Sequence, residues 1–563
     1  MATDLWGKGI LTHAGKRPLT ILFFLCFIAW LPGFFTLPPL DRDESRFAQA
    51  TKQMLETGDY IDIRYGEGVR YKKPAGIHWL QAASTSAFGE GARNQIWTYR
   101  LPSLIGAFAA VALAFWVVRA FAGAEAAFLA ALLLGMTVLL AAESKISKTD
   151  AVLLATVLGT QGVMLRAYLS ARIPGRPPPS LALALGGWTA FAIGVLIKGP
   201  IILAVCLAGF VAIALWDRDA RWFMRLKPLW GVLLMLAIVL PWGIAIGLES
   251  HGLFYEKALG EDFAKKIVGG EETHGAPPGY YLSLVSFSFW PATLLLIPGI
   301  VAGIKRRAEP AIRYLLAWAG GAWLMFEVVP TKLPHYILPA YPALIFLAVL
   351  WLQGESGETE SKWERIARYV SIALFAAVGV LYALLAAFAP NHLGYGSTWW
   401  LHAGAALGAA AVITAAVFAI KRERLKAAFA AILAALILYP LTAMGTAPRL
   451  QQIWLSPRLY EAVQRDTHPG DPPAILSGYT EPSLVFLLGT NTRIAGGQKA
   501  AEIAAAQGGL ALIENKQQAP FLDTLRAHAA SAEAVEEIDG INYSRGRAAH
   551  VTVYRVMPGA THR

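Results

Sequence analysis

Long apolar runs broken by short polar stretches recur from residue 19 to residue 445 and organise the chain. A helix needs about 20 apolar residues to cross roughly 30 Å of hydrocarbon. The runs at 19–35, 98–120, 122–142, 151–169, 180–197, 199–216, 229–247, 281–303, 311–329, 335–352, 367–389, 398–420 and 427–445 therefore predict about 13 transmembrane helices. Residues 38–97, between the first two runs, follow a different period. Phe47, Ala50, Met54 and Leu55 recur at three- and four-residue spacing between Glu44 and Thr57, and Gly58 supplies a stop. A juxtamembrane amphipathic helix lying on the membrane surface is expected there. Past residue 446 the long runs end. Ala474–Gly478, Leu510–Ile513 and Ala549–Val556 read as strands, and Pro482–Leu488, Gln498–Gln507 and Pro520–Ala530 as helices. The expected division is a membrane domain over 1–445, with its first loop at 38–97, and a C-terminal α/β domain over 446–563.

Composition agrees with the pattern: 56% of the 563 residues are apolar and only 15% are charged, which marks a polytopic α-helical membrane protein. The net charge of +11 does not point to nucleic acid, because its distribution follows topology. Arg166, Arg172 and Arg176, then Arg218, Arg221, Arg225 and Lys227, then Lys305-Arg306-Arg307 and Lys421-Arg422, fall in alternate loops, as the positive-inside rule requires. Lys8, Lys16 and Arg17 precede the first run without a small-residue cleavage site after it, so an uncleaved span with a cytoplasmic N-terminus is expected. By alternation the C-terminal domain lies outside. Cys26 and Cys206 both sit in apolar runs and offer no disulfide framework. The C-terminal domain carries no phosphate-binding or dinucleotide glycine loop.

The same alternation turns the loops at 38–97, 143–150, 248–280 and 330–336 to the external face, and these carry the concentrated charge. Asp41-Arg42-Asp43-Glu44-Ser45-Arg46 packs three carboxylates and two guanidinium groups beside hydrocarbon, where uncompensated charge is costly. Asp43 reads either as a helix N-cap or as a general base with Arg46 one turn on, and Asp150 has the same N-cap alternative. An external site has no ATP or nucleotide at hand, so any activated substrate there must come through the membrane.

Three blocks carry a family resemblance: Asp43-Glu44-Ser45-Arg46-Phe47-Ala48-Gln49-Ala50, then Met54-Leu55-Glu56-Thr57-Gly58-Asp59-Tyr60, then Tyr71-Lys72-Lys73-Pro74 with His78-Trp79-Leu80. Their order and spacing resemble the first extracytoplasmic loop of lipid-carrier-dependent glycosyltransferases of the GT-C fold, in particular bacterial lipid A aminoarabinose and galacturonic acid transferases, with protein O-mannosyltransferases as more distant relatives. The resemblance implies Asp43 as base braced by Arg46, with Asp150 as the second acid. It implies Lys73, Lys266 and Tyr336 on the carrier phosphate, the last within Thr331-Lys332-Leu333-Pro334-His335-Tyr336-Ile337-Leu338-Pro339. Glu44, His274, Lys332 and His335 are further candidate substrate contacts. From the residues alone, Lys73 also reads as an interfacial anchor, Lys266 as a solvated loop charge and Tyr336 as an aromatic-belt residue.

Lys266 stands where relatives commonly carry Arg, and Lys72 stands where the aminoarabinose transferases place a metal-binding Glu. No catalytic metal is expected, His274 and His335 being the candidate ligands were a divalent ion bound. The implied function is inverting transfer of a sugar from an undecaprenyl-phosphate-type donor to lipid A, lipopolysaccharide or another envelope acceptor at the periplasmic face of the bacterial inner membrane. The alternatives are a protein O-mannosyltransferase-like or other envelope glycan transferase and, outside enzymes, a lipid-linked sugar flippase, for which internal repeats and mid-membrane charges would be the signature.

Overall fold

The computed structural model describes residues 17–263, 276–354 and 360–558. Eight of its helices are long and apolar enough to cross a membrane: Ile96–Val118, Asp150–Arg172, Leu181–Lys198, Pro228–Glu249, Pro334–Leu352, Lys362–Leu393, Trp399–Ile420 and Arg424–Arg449. Shorter apolar helices at Pro18–Trp30, Ala124–Gly135, Ile201–Asp217 and Thr293–Lys305 fill the bundle, as does Pro310–Val328. The chain is a multi-pass membrane protein.

Several expected spans are interrupted. The run at 122–142 stops at Gly135 and restarts at Val138, where the Thr137 hydroxyl accepts from the Leu140 N–H and caps the new helix. The run at 281–303 divides into Tyr280–Ser288 and Thr293–Lys305 around Pro291, which has no N–H to continue a helix. Periodicity does not register such breaks, because apolar residues continue through them.

Asp150–Arg172 is the central helix, buried over nearly its whole length. It packs against Ile96–Val118 so closely that a Cβ at Gly106 would meet Val152 Cα at 2.8 Å. Its far end, with Arg172 and Arg313 on Asp217 at 2.9 and 2.6 Å, gathers the basic residues of the alternate loops. Its N-terminal end, Asp150, faces the first loop.

The C-terminal region holds a five-stranded sheet in the order Arg493–Ile494, Ile475–Ser477, Gly509–Glu514, Arg547–Met557, Ser531–Asn542. Its first three strands are parallel and the last two antiparallel, with Leu512 opposite Val553. Gly509–Glu514 is buried on both faces, which is why it reads as a continuous apolar run. Leu510 and Leu512 pack toward the helix Leu455–Asp466, and Ala511 and Ile513 toward Gly497–Gln507 and Asn515–Ala527. Sequence reasoning missed Leu455–Asp466 and the strand Ser531–Asn542. The latter is an edge strand whose exposed Glu533 and Glu537 mimic a polar loop and block edge pairing.

The amphipathic helix forms as Asp43–Thr57, closed by Gly58 at φ 73°. It does not lie with one face open. Phe47, Ala50, Met54 and Leu55 are buried, and so are Gln49, Thr51 and Lys52 on its other faces. The C-terminal region covers it: Gln49 donates to Thr490 at 2.7 Å and Lys52 to the Phe486 carbonyl at 3.4 Å.

Candidate active site

The helix Asp43–Thr57 is pinned by one buried ion pair. Arg100, in the first turns of Ile96–Val118, places its Nε and Nη2 2.8 and 2.9 Å from the two Glu44 oxygens, and both side chains are about 1% exposed. The same guanidinium donates to the carbonyls of Phe34, Leu37 and Pro38 at 3.0, 2.8 and 2.9 Å. Glu44 also accepts from the backbone N–H groups of Leu40 (2.7 Å) and Ser147 (3.0 Å). Glu44 was expected as a substrate contact; its oxygens are committed to the scaffold instead, and they tie the first loop to the 144–149 turn. A second tie runs from the Thr51 hydroxyl to Gln81 Oε1 (2.7 Å) and from Gln81 Nε2 to the Ser147 hydroxyl (2.8 Å).

Asp43 is the first helical residue, and the capping position is Arg42, which makes no capping bond. The N-cap reading of Asp43 therefore drops away. Burial pushes the Asp43 carboxyl up, but the cations around it, Lys148 foremost with Arg70 and Arg46, outweigh that and hold it below its ordinary 3.8. Asp150 likewise follows the capping residue, Thr149, which makes no side-chain capping bond. Lys198 Nζ lies 2.5 Å from Asp150 Oδ1, and Lys148 Nζ 3.9 Å from Oδ2. Lys148 also reaches Glu143 at 3.3 Å and His335 Nδ1 at 3.2 Å. Glu143, Lys148, Asp150, Lys198 and His335 are all less than 9% exposed. Lys148 thus stands in the field of both aspartates, and burial, which alone would lower its pKa, is overcome by Glu143, Asp150 and Asp43, which raise it.

Lys73 and Pro74 lie in the turn before the helix Gly76–Ser86, with Pro74 beside Gly199, which adopts φ 64° directly after Lys198. Tyr336 is close as well, with the Lys198 ammonium 5.3 Å from its ring centre. Gly76 permits this juxtaposition, since a Cβ there would meet the Leu196 carbonyl oxygen at 2.6 Å. A backbone carbonyl cannot step aside as a side chain can. Gly76→Ala is accordingly expected to cost about 1–3 kcal/mol, visible as a lowered melting temperature, because the turn carrying Pro74 must move away from Leu196 and Gly199.

Of the other expected residues, Arg46 is half-buried and adds to the positive field at Asp43. Lys332 is buried with its ammonium on the Val329 carbonyl at 2.9 Å, a scaffold contact rather than an open one. Lys266 and His274 lie outside the described residues. Glu143, Asp150 and His335 bring three ligand atoms within 4.8 Å of one another and could hold a divalent ion, with Glu143 Oε2 buried and unpartnered among the described residues. The Lys148 ammonium, 3.3 and 3.9 Å from the two carboxylates, competes for that position. An apolar groove of about 570 Å³, lined by Leu80, Phe88, Ile105, Val152 and Ile193, runs beside the first turns of Asp150–Arg172.

Sequence reasoning did not assign Arg100, Glu143, Lys148 or Lys198. A signal existed for each. Arg100 interrupts a predicted span, Lys198 ends one, and Glu143 and Lys148 crowd a polar break between two apolar runs, all costly positions for unpaired charge.

The structure can be set against solved ones. It superposes on ArnT from Cupriavidus metallidurans bound to undecaprenyl phosphate with a TM-score of 0.75 at 18% identity, covering 96% of this chain and 98% of that one, and on the apo form with a TM-score of 0.73. The chain has the GT-C fold. The family model for dolichyl-phosphate-mannose-protein mannosyltransferase matches residues 72–244, a stretch that includes Lys73, Lys148, Asp150 and Lys198. Undecaprenyl phosphate-alpha-4-amino-4-deoxy-L-arabinose arabinosyl transferase of Aeromonas hydrophila is 27% identical over 393 residues, and its counterpart from Pectobacterium atrosepticum 25% over 382. This GT-C chain spans 66% and 64% of the length of those two relatives, which match 67% and 65% of it.

Proposed function

We propose that this protein transfers a sugar from an undecaprenyl-phosphate-type donor to a lipid A or related envelope acceptor, at the periplasmic face of the bacterial inner membrane. The observation that carries the reading is the buried set of Lys148, Asp150 and Lys198 meeting the Asp43 end of the first-loop helix, beside an apolar groove. The GT-C fold and the arabinosyl transferase relatives support it.

In this reading Lys73 and Lys198, with Tyr336 and Lys266, hold the carrier phosphate, and its tail occupies the groove. The acceptor oxygen attacks the anomeric carbon from the opposite side. The C–O bond to the carrier phosphate breaks with inversion, and the leaving phosphate's charge develops beside lysine ammonium groups already in place. Asp43 and Asp150 stabilise positive charge developing at the sugar.

A carboxylate held below its ordinary pKa is a weak proton acceptor, because base catalysis is strongest when the pKa lies near the working pH. It suits an acceptor that is already deprotonated, such as a phosphate, better than an alkyl hydroxyl. The test is mass spectrometry of lipid A and envelope glycans from cells with and without the protein. A single-sugar mass increment on lipid A, present only with the protein, is expected. An increment confined to periplasmic protein would instead indicate a protein O-mannosyltransferase-like activity.

A further inference from the structure

Asp41 and Arg42, immediately before Asp43, are gripped by residues more than four hundred positions away in sequence. The Asp41 backbone N–H donates to the Tyr543 hydroxyl at 2.6 Å, and the Asp41 carboxylate accepts from the Ser483 hydroxyl and, at 3.3 Å, from the Ser544 hydroxyl. Arg42 donates from Nη2 to the Ser544 carbonyl at 3.3 Å, and its Nε lies 3.4 Å from Glu481. The grip is itself fixed, since Glu481 accepts from Asn542 Nδ2 at 2.8 Å and lies 3.4 Å from Arg545. Asp41, Glu481 and Ser483 are 9%, 2% and 0% exposed.

What is gripped is strained. Arg42 has φ 65° and ψ −114°, a backbone conformation that side chains rarely adopt and that only glycine takes freely. Such a conformation persists only where the surroundings over-determine it. Arg42 is the turn from which the Asp43–Thr57 helix starts, so its dihedrals set where the Asp43 carboxylate points.

We propose that Glu481 and Ser483, with the Tyr543-Ser544 tip of the C-terminal sheet, form a clamp on Asp41-Arg42 that holds the strained backbone aiming Asp43, so that the C-terminal region supplies positioning residues for the transfer site. The proposal rests on the functional reading above. It follows that the C-terminal region shapes catalysis at a distance from the lysines, by fixing one dihedral pair.

Arg42→Ala and Arg42→Gly in the full-length protein separate this role from a merely structural ion pair. Both delete the guanidinium, but only alanine keeps the Cβ that makes the conformation costly. Relaxation in the alanine variant displaces Asp43, and misplacement of a reacting group by about 1 Å lowers turnover by up to roughly 100-fold. Arg42→Ala is expected to lose kcat by about 10- to 100-fold with KM for the donor nearly unchanged, and Arg42→Gly to retain several-fold more kcat than Arg42→Ala. Tyr543→Phe, which removes only the hydroxyl on the Asp41 N–H, is expected to lower kcat without moving KM, and adding Arg42→Gly to it to restore part of the loss. Equal kcat in the two Arg42 variants would overturn the clamp, as would a Tyr543→Phe protein with full kcat. Should Arg42→Ala fail to fold, the Tyr543→Phe pair decides. Full activity in Asp43→Asn would instead remove the functional reading itself.

Discussion

Asp43→Asn is expected to lower turnover by roughly 10²- to 10⁴-fold, while the protein folds and still binds its donor. The amide fills the same space but carries no charge, so in the proposed mechanism it cannot stabilise positive charge developing at the sugar. Glutamate at 43 should restore only part of the activity, since its longer arm misplaces the same group.

The pH dependence follows from the sign of the shift. Asp43 is held below its ordinary 3.8 by Lys148, Arg70 and Arg46 against the effect of burial. Its ionised form therefore contributes stability above about pH 3.8, lost as the pH falls through the lower folded value. Any loss of activity between pH 5 and 7 must come from another group or from the substrate. An acid limb near neutrality that vanished in Asp43→Asn would contradict this assignment.

Arg100→Ala is expected to destabilise the protein by about 3–5 kcal/mol, the usual consequence of leaving one member of a buried ion pair without its partner. The loss here is compounded, because the carbonyls of Phe34, Leu37 and Pro38 lose their donor along with Glu44. Thermal unfolding in detergent and the yield of folded membrane protein read it directly. Replacing both partners, as Arg100→Met with Glu44→Leu, should recover part of the stability, because two apolar side chains leave no buried charge unpaired. Activity should not recover with it, for the Glu44 contact to the Ser147 N–H, which fixes the turn carrying Lys148, is then gone.

The apolar periodicity made the bundle and the first-loop helix legible, and the family resemblance singled out Asp43 and Asp150, which the structure brings around Lys148. What stayed hidden depended on pairing across long sequence separations. Glu44 looked available because nothing local reveals that Arg100, 56 residues on, binds both its oxygens. Lys198 looked like an ordinary helix-terminal lysine until Asp150, 48 residues before it, came within 2.5 Å. The strand Ser531–Asn542 was missed for a different reason: an edge strand with one solvated, acidic face lacks the apolar alternation that marks a strand. The covering of the Asp43–Thr57 helix by the C-terminal region is also invisible to periodicity, because the buried polar residues Gln49, Thr51 and Lys52 look like a solvated face.

The central claim is that the lysines and aspartates gathered at the Asp43 end of the bundle release a sugar from its lipid carrier onto an acceptor. Purified protein in lipid nanodiscs, given an undecaprenyl-phosphate-linked sugar and lipid A, measures it most directly. The expected result is free undecaprenyl phosphate appearing in equal amount with glycosylated lipid A, and neither product with Asp43→Asn. Donor that stays intact while the same protein in sealed vesicles moves it between leaflets would contradict the account and leave a transporter.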